Sequence, residues 1–96
     1  MHFVYLIYNT STKEFYIGET NDLNRRINEH QQGSNISTKY KCSDWKCVYA
    51  EIYKSKKDAL IRERKLKAHG SGLVELKKRI IYSLETMNNR TGEGKR

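Results

Sequence analysis

The run His2-Phe3-Val4-Tyr5-Leu6-Ile7-Tyr8, the break Asn9-Thr10-Ser11-Thr12-Lys13 and the second run Glu14-Phe15-Tyr16-Ile17-Gly18 decide the fold of this chain. The first run is aromatic and β-branched without polar alternation, the pattern of a strand covered on both faces, which belongs in the centre of a sheet. The break is turn chemistry, and the second run is a short strand, so the two pair as an antiparallel hairpin. Trp45 to Tyr53 reads as a third strand, with Val48, Ala50 and Ile52 on one face.

Helices fill the spaces between and after these strands. Thr20 or Asn21 can cap a helix that has Asp22 in its first turn and stops near Gly33, a residue suited to the left-handed C-terminal position. Residues 34–44 are polar and read as a loop with a short helix. Ser55 and Asp58 form a capping-box-like start for a helix running to about His69, ahead of Gly70-Ser71-Gly72. A last helix is expected over 73–87, where Leu73, Leu76, Ile80, Leu84 and Met87 make one stripe. The expected class is α+β: a three-stranded antiparallel sheet flanked by helices, in one domain over 1–87, with 88–96 as a flexible basic tail.

A chain of 96 residues has room for only a small core, because folding at this size removes roughly 60–70% of the unfolded chain's surface from water. The 19 Lys and Arg against 11 Asp and Glu give a net charge of +8. Residues 1–37 hold three basic and four acidic side chains, and the remainder holds sixteen and seven. The second half therefore carries the excess that attracts a polyanion, although Lys-rich helix faces are also simply well solvated. No apolar run approaches the ~20 residues that span a bilayer, and no signal-peptide pattern opens the chain, so the expectation is an intracellular protein, cytoplasmic or associated with nucleic acid, without a membrane partner. Cys42 and Cys47 are too few and wrongly spaced for a zinc site and read as ordinary thiols.

Two charges break the helix pattern. At about 100° per residue, Leu23, Arg26, Ile27 and His30 share one arc while Arg25 points to the opposite side. Ala59, Leu60, Glu63, Leu66 and Lys67 share another, with Arg62, Arg64 and Lys65 directed outward. A guanidinium and a carboxylate aimed at a small core are costly unless paired or used. An Arg26–Glu63 bridge or a Glu63–Lys67 pair is one explanation; a functional pair of metal ligand and anion clamp is the other. His30, Tyr5 and Tyr16 taken alone read equally well as satisfied packing residues.

In order, these features resemble the GIY-YIG nuclease family, particularly its small single-domain members. Phe3-Val4-Tyr5 stands in the place of the first motif, Tyr16-Ile17-Gly18 matches the second, and the tyrosines are eleven residues apart. Gly18-x-Thr20-x-Asp22-Leu23-x-Arg25-Arg26-x-x-Glu29-His30-x-x-Gly33 is similar to the family's first-helix signature. Thr38, Trp45, Glu51 and Asp58-Ala59-x-x-Arg62-Glu63-x-x-Leu66-Lys67 extend the likeness to residue 67. The Gly-Ile lead of the first motif is missing, and Glu19 follows the motif glycine where some relatives carry lysine.

The resemblance implies a metal-dependent endonuclease that hydrolyses DNA phosphodiesters, structure-specific or nicking, leaving a 5′-phosphate and a 3′-hydroxyl. The alternative is a catalytically inactive DNA-binding module of the same fold. By position, Arg26 is the implied phosphate clamp and Glu63 the ligand of a single Mg²⁺ or Mn²⁺. Tyr5 or Tyr16 would orient or deprotonate the water, His30 would support water or phosphate by hydrogen bonding, and Gly18 and Thr20 are motif residues with structural roles. A phenol with a pKa near 10 is a poor base at neutral pH and needs a nearby cation. Lys39, Lys41 and Lys67 are the expected DNA-backbone contacts. No separate base-reading element is visible, so targeting falls to DNA shape, an accessory protein or self-association.

Overall fold

The computed structural model describes residues 1–68 and 70–89. Strands β1 (His2–Asn9), β2 (Phe15–Thr20) and β3 (Trp45–Tyr53) form one antiparallel sheet in the order β2-β1-β3. Helix α1 (Leu23–Gln31) follows β2, 3₁₀ turns at Ile36–Thr38 and Cys42–Asp44 precede β3, and α2 (Lys56–Lys67), α3 (Ser71–Arg79) and α4 (Ile81–Asn89) complete the chain. The α+β expectation and the central place of β1 are both borne out.

The β1 run lacks alternation because the strand is covered on both sides. Val4 and Leu6 join Ile17, Ala59, Leu66 and Leu76 in one apolar cluster beneath α2 and α3. Tyr5 and Ile7 join Trp45 in a second, with Leu23 and Ile27 of α1 packed against it. The sheet thus separates a layer centred on the first apolar cluster from one that also buries His30 and Thr38.

The third strand corrects the expected facing. A register shift between Leu6 and Ile7 pairs Leu6 with Tyr49 and Ile7 with Cys47, leaving Val48 as an extra residue. Such a bulge reverses the alternation beyond it. Tyr49, Glu51 and Tyr53 therefore turn toward the helices, while Ala50 is exposed and Ile52 is 64% exposed. Val48 does pack on the apolar layer, but not together with Ala50 and Ile52.

The helix boundaries bring further corrections. The cap of α1 is Asp22, whose carboxylate accepts the Arg25 N–H (3.1 Å), instead of Thr20 or Asn21. Thr20 is buried and shapes the preceding turn, its hydroxyl accepting from the Asp22 N–H (3.1 Å). Gly33 has the expected positive φ of 80°. Ser55 caps α2 as expected by accepting the Lys57 N–H, but that helix ends at Lys67, and His69 lies outside the described residues.

The expected 73–87 helix is divided. Ile80 leaves helical geometry (φ −115°, ψ 27°) while its side chain packs on the apolar layer, and α4 departs from it in a new direction. That departure brings Asn88 to the hairpin, where its side-chain oxygen accepts from the Tyr8 hydroxyl (2.7 Å) and the Lys13 ammonium (3.1 Å). Asn88 and Asn89, assigned to the tail, thus end α4, and the remainder of the proposed 88–96 tail lies outside the described residues. Among the described residues no helix is long and apolar enough to cross a membrane.

Candidate active site

Tyr5 and Gly18 face each other across the hairpin. The Tyr5 ring lies directly over Gly18, where any β-carbon would collide with both the ring and its hydroxyl. Glycine at this place removes the side chain that would otherwise stop the phenol from crossing β2. The phenol oxygen then sits 2.7 Å from Nε2 of His30, which α1 presents fully buried, at 0% exposure.

The other imidazole nitrogen, Nδ1, is 2.7 Å from Oγ1 of Thr38, itself 1% exposed. Thr38 is fixed in turn: its backbone N–H donates to the Asn35 carbonyl (3.1 Å), and its carbonyl accepts the Trp45 indole N–H (2.8 Å). Tyr16 completes the aromatic wall, its ring edge-on to His30 with centroids 5.0 Å apart. Both imidazole nitrogens are occupied by hydroxyls. Within the protein His30 therefore meets Tyr5 on one side and Thr38 on the other.

Charge arrives from two helices. Arg26 donates to Glu29 (2.9 Å), and its guanidinium holds the Tyr5 phenol below where burial alone would put it. Arg25, one residue earlier, turns outward to Asp22 and Glu29, as helical geometry requires. From the opposite layer, the Glu63 side chain on α2 is 16% exposed and pairs with Lys67 (3.2 Å), whose ammonium lies 5.7 Å from the Tyr16 ring centroid. The charge of Glu63 also reaches Tyr5. Of the two ion-pair explanations, the Glu63–Lys67 pair forms; among the described residues Arg26 and Glu63 make no bridge.

These surroundings set the protonation states. Burial pushes the Tyr5 phenol up to about 12; Arg26 opposes this, whereas the charges of Tyr16 and Glu63 reinforce it. Burial also holds His30 down at about 4, helped by the Arg26 charge and resisted by Glu29. At neutral pH the pair is a phenol beside a neutral imidazole. Arg26 is raised, first through its hydrogen bond to Glu29, and stays a cation.

Among the described residues no three His, Cys, Asp or Glu side chains gather as a metal cage. Glu63 instead offers one carboxylate paired with a half-exposed lysine. A single hard-oxygen donor suits Mg²⁺ or Mn²⁺ that keeps most of its water, so the donor chemistry fits the implied ion.

The lysines divide. Lys67 stands beside Tyr16, whereas Lys39 and Lys41 are exposed on the loop that carries Thr38, with Lys41 in a left-handed conformation (φ 54°) against the Tyr40 ring. Sequence reading gave no role to Thr38 or Glu29 and turned Arg62 outward. Arg62 in fact clasps Glu51 of β3, donating from Nε (2.9 Å to Oε1) and from Nη2 (2.9 Å to Oε2). Thr38 lies in a polar loop without helix or strand periodicity, so only the ordered motifs marked it, and they gave it no contact. Glu51, by contrast, falls where a charge in a strand could have raised the question. Cys42 and Cys47 are free thiols.

Comparison with known proteins places the model of the GIY-YIG catalytic domain over residues 1–72. A UPF0213 protein of Limosilactobacillus reuteri is 36% identical over 64 residues, covering 65% of this chain and 66% of that protein. A UPF0213 protein of Staphylococcus aureus is 32% identical over 68 residues, covering 71% of this chain and 82% of that one. No solved structure matches the chain.

Proposed function

The chain belongs to the GIY-YIG family, and from that premise we propose that it is a divalent-metal-dependent endonuclease acting on DNA. Nuclease chemistry is what a catalytic domain of this family implies; DNA as substrate, the metal and the residue roles are our reading. The observation that carries it is the convergence on one hydroxyl, that of Tyr5, of a neutral imidazole, a guanidinium and the charge of a carboxylate from a different layer. A structural pair would need only two of these.

A phosphodiester resists attack because its own negative charge repels the nucleophile and grows in the transition state. Arg26 answers this with N–H groups that can fork onto the scissile phosphate. Glu29 holds Nη1 and so fixes the plane of the guanidinium while the remaining donors stay available. Glu63 would hold one Mg²⁺ or Mn²⁺, which supplies Lewis-acid neutralisation of the phosphate oxygens when bound.

Tyr5, with its pKa near 12, carries no standing negative charge and cannot act as a preformed base. Its hydroxyl orients the attacking water and takes a proton only as it releases its own to Nε2 of His30, 2.7 Å away. Tyr16 closes the aromatic wall and orients the water from beside His30. Lys67, at the rim, and Lys39 and Lys41, on the Thr38 loop, hold backbone phosphates on either side of the cut. The products are a 5′-phosphate and a 3′-hydroxyl, and choice of the DNA rests on its shape, on an accessory protein or on self-association.

The test is incubation with supercoiled plasmid and with nicked, flapped and branched duplexes, in Mg²⁺, Mn²⁺ or chelator, with end-labelling of the products. Metal-dependent scission that leaves 5′-phosphates supports the reading, and the preferred duplex distinguishes nicking from structure-specific cutting. Salt-sensitive binding without scission in any metal would replace it with the inactive-module alternative.

A further inference from the structure

Thr38 is buried and holds no charge, yet it makes a side-chain hydrogen bond to the imidazole that faces Tyr5. Its effect on chemistry depends on which of the two nitrogens of His30 carries the single proton of a neutral ring.

The partners settle that choice. A guanidinium has N–H groups and no lone pair to offer, so Arg26, whose charge is felt at Tyr5, cannot accept the phenol proton. The phenol proton must then go elsewhere, and Nε2 of His30, 2.7 Å away, is the acceptor present. Nε2 is consequently bare, and the ring proton resides on Nδ1. That proton needs a buried acceptor, which Oγ1 of Thr38 supplies at 2.7 Å. The Thr38 hydroxyl passes its own hydrogen toward the Asn35 carbonyl, 3.5 Å away, so every group in the row donates in one direction. The opposite tautomer would leave the phenol proton without a hydrogen-bond partner among the described residues.

We infer that Thr38 is a positioning residue for the proposed hydrolysis: by accepting the Nδ1 proton it fixes His30 in the tautomer whose Nε2 lone pair receives the Tyr5 proton. The inference rests on the hydrolytic reading for its catalytic consequence. When water gives a proton to the Tyr5 oxygen, the phenol O–H proton moves to Nε2, and His30 becomes a cation with hydrogens on both nitrogens. The Thr38 oxygen still accepts from Nδ1 throughout, and the hydroxide produced is the nucleophile. The departing 3′-oxygen, on the opposite side of the phosphorus, takes its proton from solvent, and the imidazolium returns its own through Tyr5 to solvent, which restores the starting state. Burial of Thr38 and the Trp45 hold on its carbonyl keep Oγ1 in place during both transfers.

The direct test is the long-range ¹H–¹⁵N spectrum of the His30 ring in the metal-free protein at neutral pH, where the pattern of a protonated Nδ1 and bare Nε2 is expected. Thr38→Val removes the acceptor and should convert the ring to the Nε2–H form, whereas Thr38→Ser should retain the parent pattern. With DNA and Mg²⁺, Thr38→Val is expected to lower kcat by about a hundredfold, the scale of one general acid–base contribution. Its KM should stay within about twofold and Thr38→Ser should cleave nearly as the parent, because neither hydroxyl nor methyl meets the substrate. A parent spectrum with Nε2 protonated overturns the inference without any variant having to fold. So does a folded Thr38→Val protein that keeps both the parent tautomer and the parent kcat. If the parent protein cuts no DNA at all, the hydrolytic reading falls, while the spectrum still decides the tautomer.

Discussion

Arg62 and Glu63 are consecutive on α2 and serve opposite edges of the sheet. At the β3 edge, Arg62 donates three hydrogen bonds to Glu51, whose carboxylate also accepts from the Tyr49 hydroxyl (2.8 Å) and the Tyr53 hydroxyl (2.6 Å). At the β2 edge, Glu63 has one pairing, with Lys67, and its charge is felt at Tyr5. The first carboxylate has its acceptor capacity filled by fixed donors; the second, among the described residues, has one half-exposed lysine as its partner, and its charge is felt at Tyr5. Saturation marks architecture, and spare capacity next to opposite charge marks chemistry.

The comparison breaks most readily at the two carboxylates. Glu63→Gln should reduce cleavage about 10³-fold, the loss expected when a main electrostatic stabiliser is removed, and should change unfolding stability by less than about 0.5 kcal/mol. Glu51→Gln should do the reverse, lowering unfolding stability by about 2 kcal/mol because it leaves a mostly buried guanidinium short of its partner. Its cleavage should fall only with the folded fraction. Denaturant unfolding and single-turnover cleavage on the same samples check both, and an exchange of the two phenotypes would sink the distinction.

Acid separates the regions next. His30 has its pKa held below the usual value, at about 4, so the unfolded chain binds its proton first. The stability associated with the neutral ring is complete above about 6.5 and is lost as pH falls toward 4. Glu51 is also lowered: burial acts to raise it, but Arg62, Tyr53 and Tyr49 together prevail, so its contribution persists above the ordinary carboxylate range and disappears below it. Thermal unfolding between pH 7 and 3 should show both losses in sequence, with Glu51→Gln flattening the lower one alone. A His30 ring that titrates near 6.5 by NMR would contradict the burial assigned to it.

The smallest effect belongs to Lys67→Met. An exposed i,i+4 pair contributes about 0.3–0.5 kcal/mol, so folding should barely change. If Lys67 meets a backbone phosphate, the slope of log Kd against log salt should fall by about one. An unchanged slope would return Lys67 to the role of partner for Glu63 alone.

Much of this architecture was legible because it depends on neighbours in sequence. The unbroken apolar run of β1, the turn after it, the Gly33 stop and the Ser55 cap are local choices, and each is realised. The places that misled were those where tertiary contacts outweigh the local pattern. The residue order around Val48 reads as clean alternation, yet the bulge against β1 exposes Ala50 and Ile52. The stripe from Leu73 to Met87 reads as one helix, yet burying Ile80 and bringing Asn88 to Tyr8 divides it.

The candidate site follows the same boundary. By itself the sequence determined that Arg26 and Glu63 lie on core-facing arcs and that Tyr5 and Tyr16 belong to paired strands, because helical and strand periodicities are properties of the backbone alone. It could not determine that Tyr5 crosses over Gly18 to His30, that Thr38 occupies the far nitrogen, or that Glu51 takes Arg62 away from the surface. Those are contacts across 25, 8 and 11 residues of chain. Only packing the two layers against the sheet fixes them, since an unpaired buried hydroxyl, imidazole or carboxylate is costly and each side chain takes the partner that the folded interior leaves within reach.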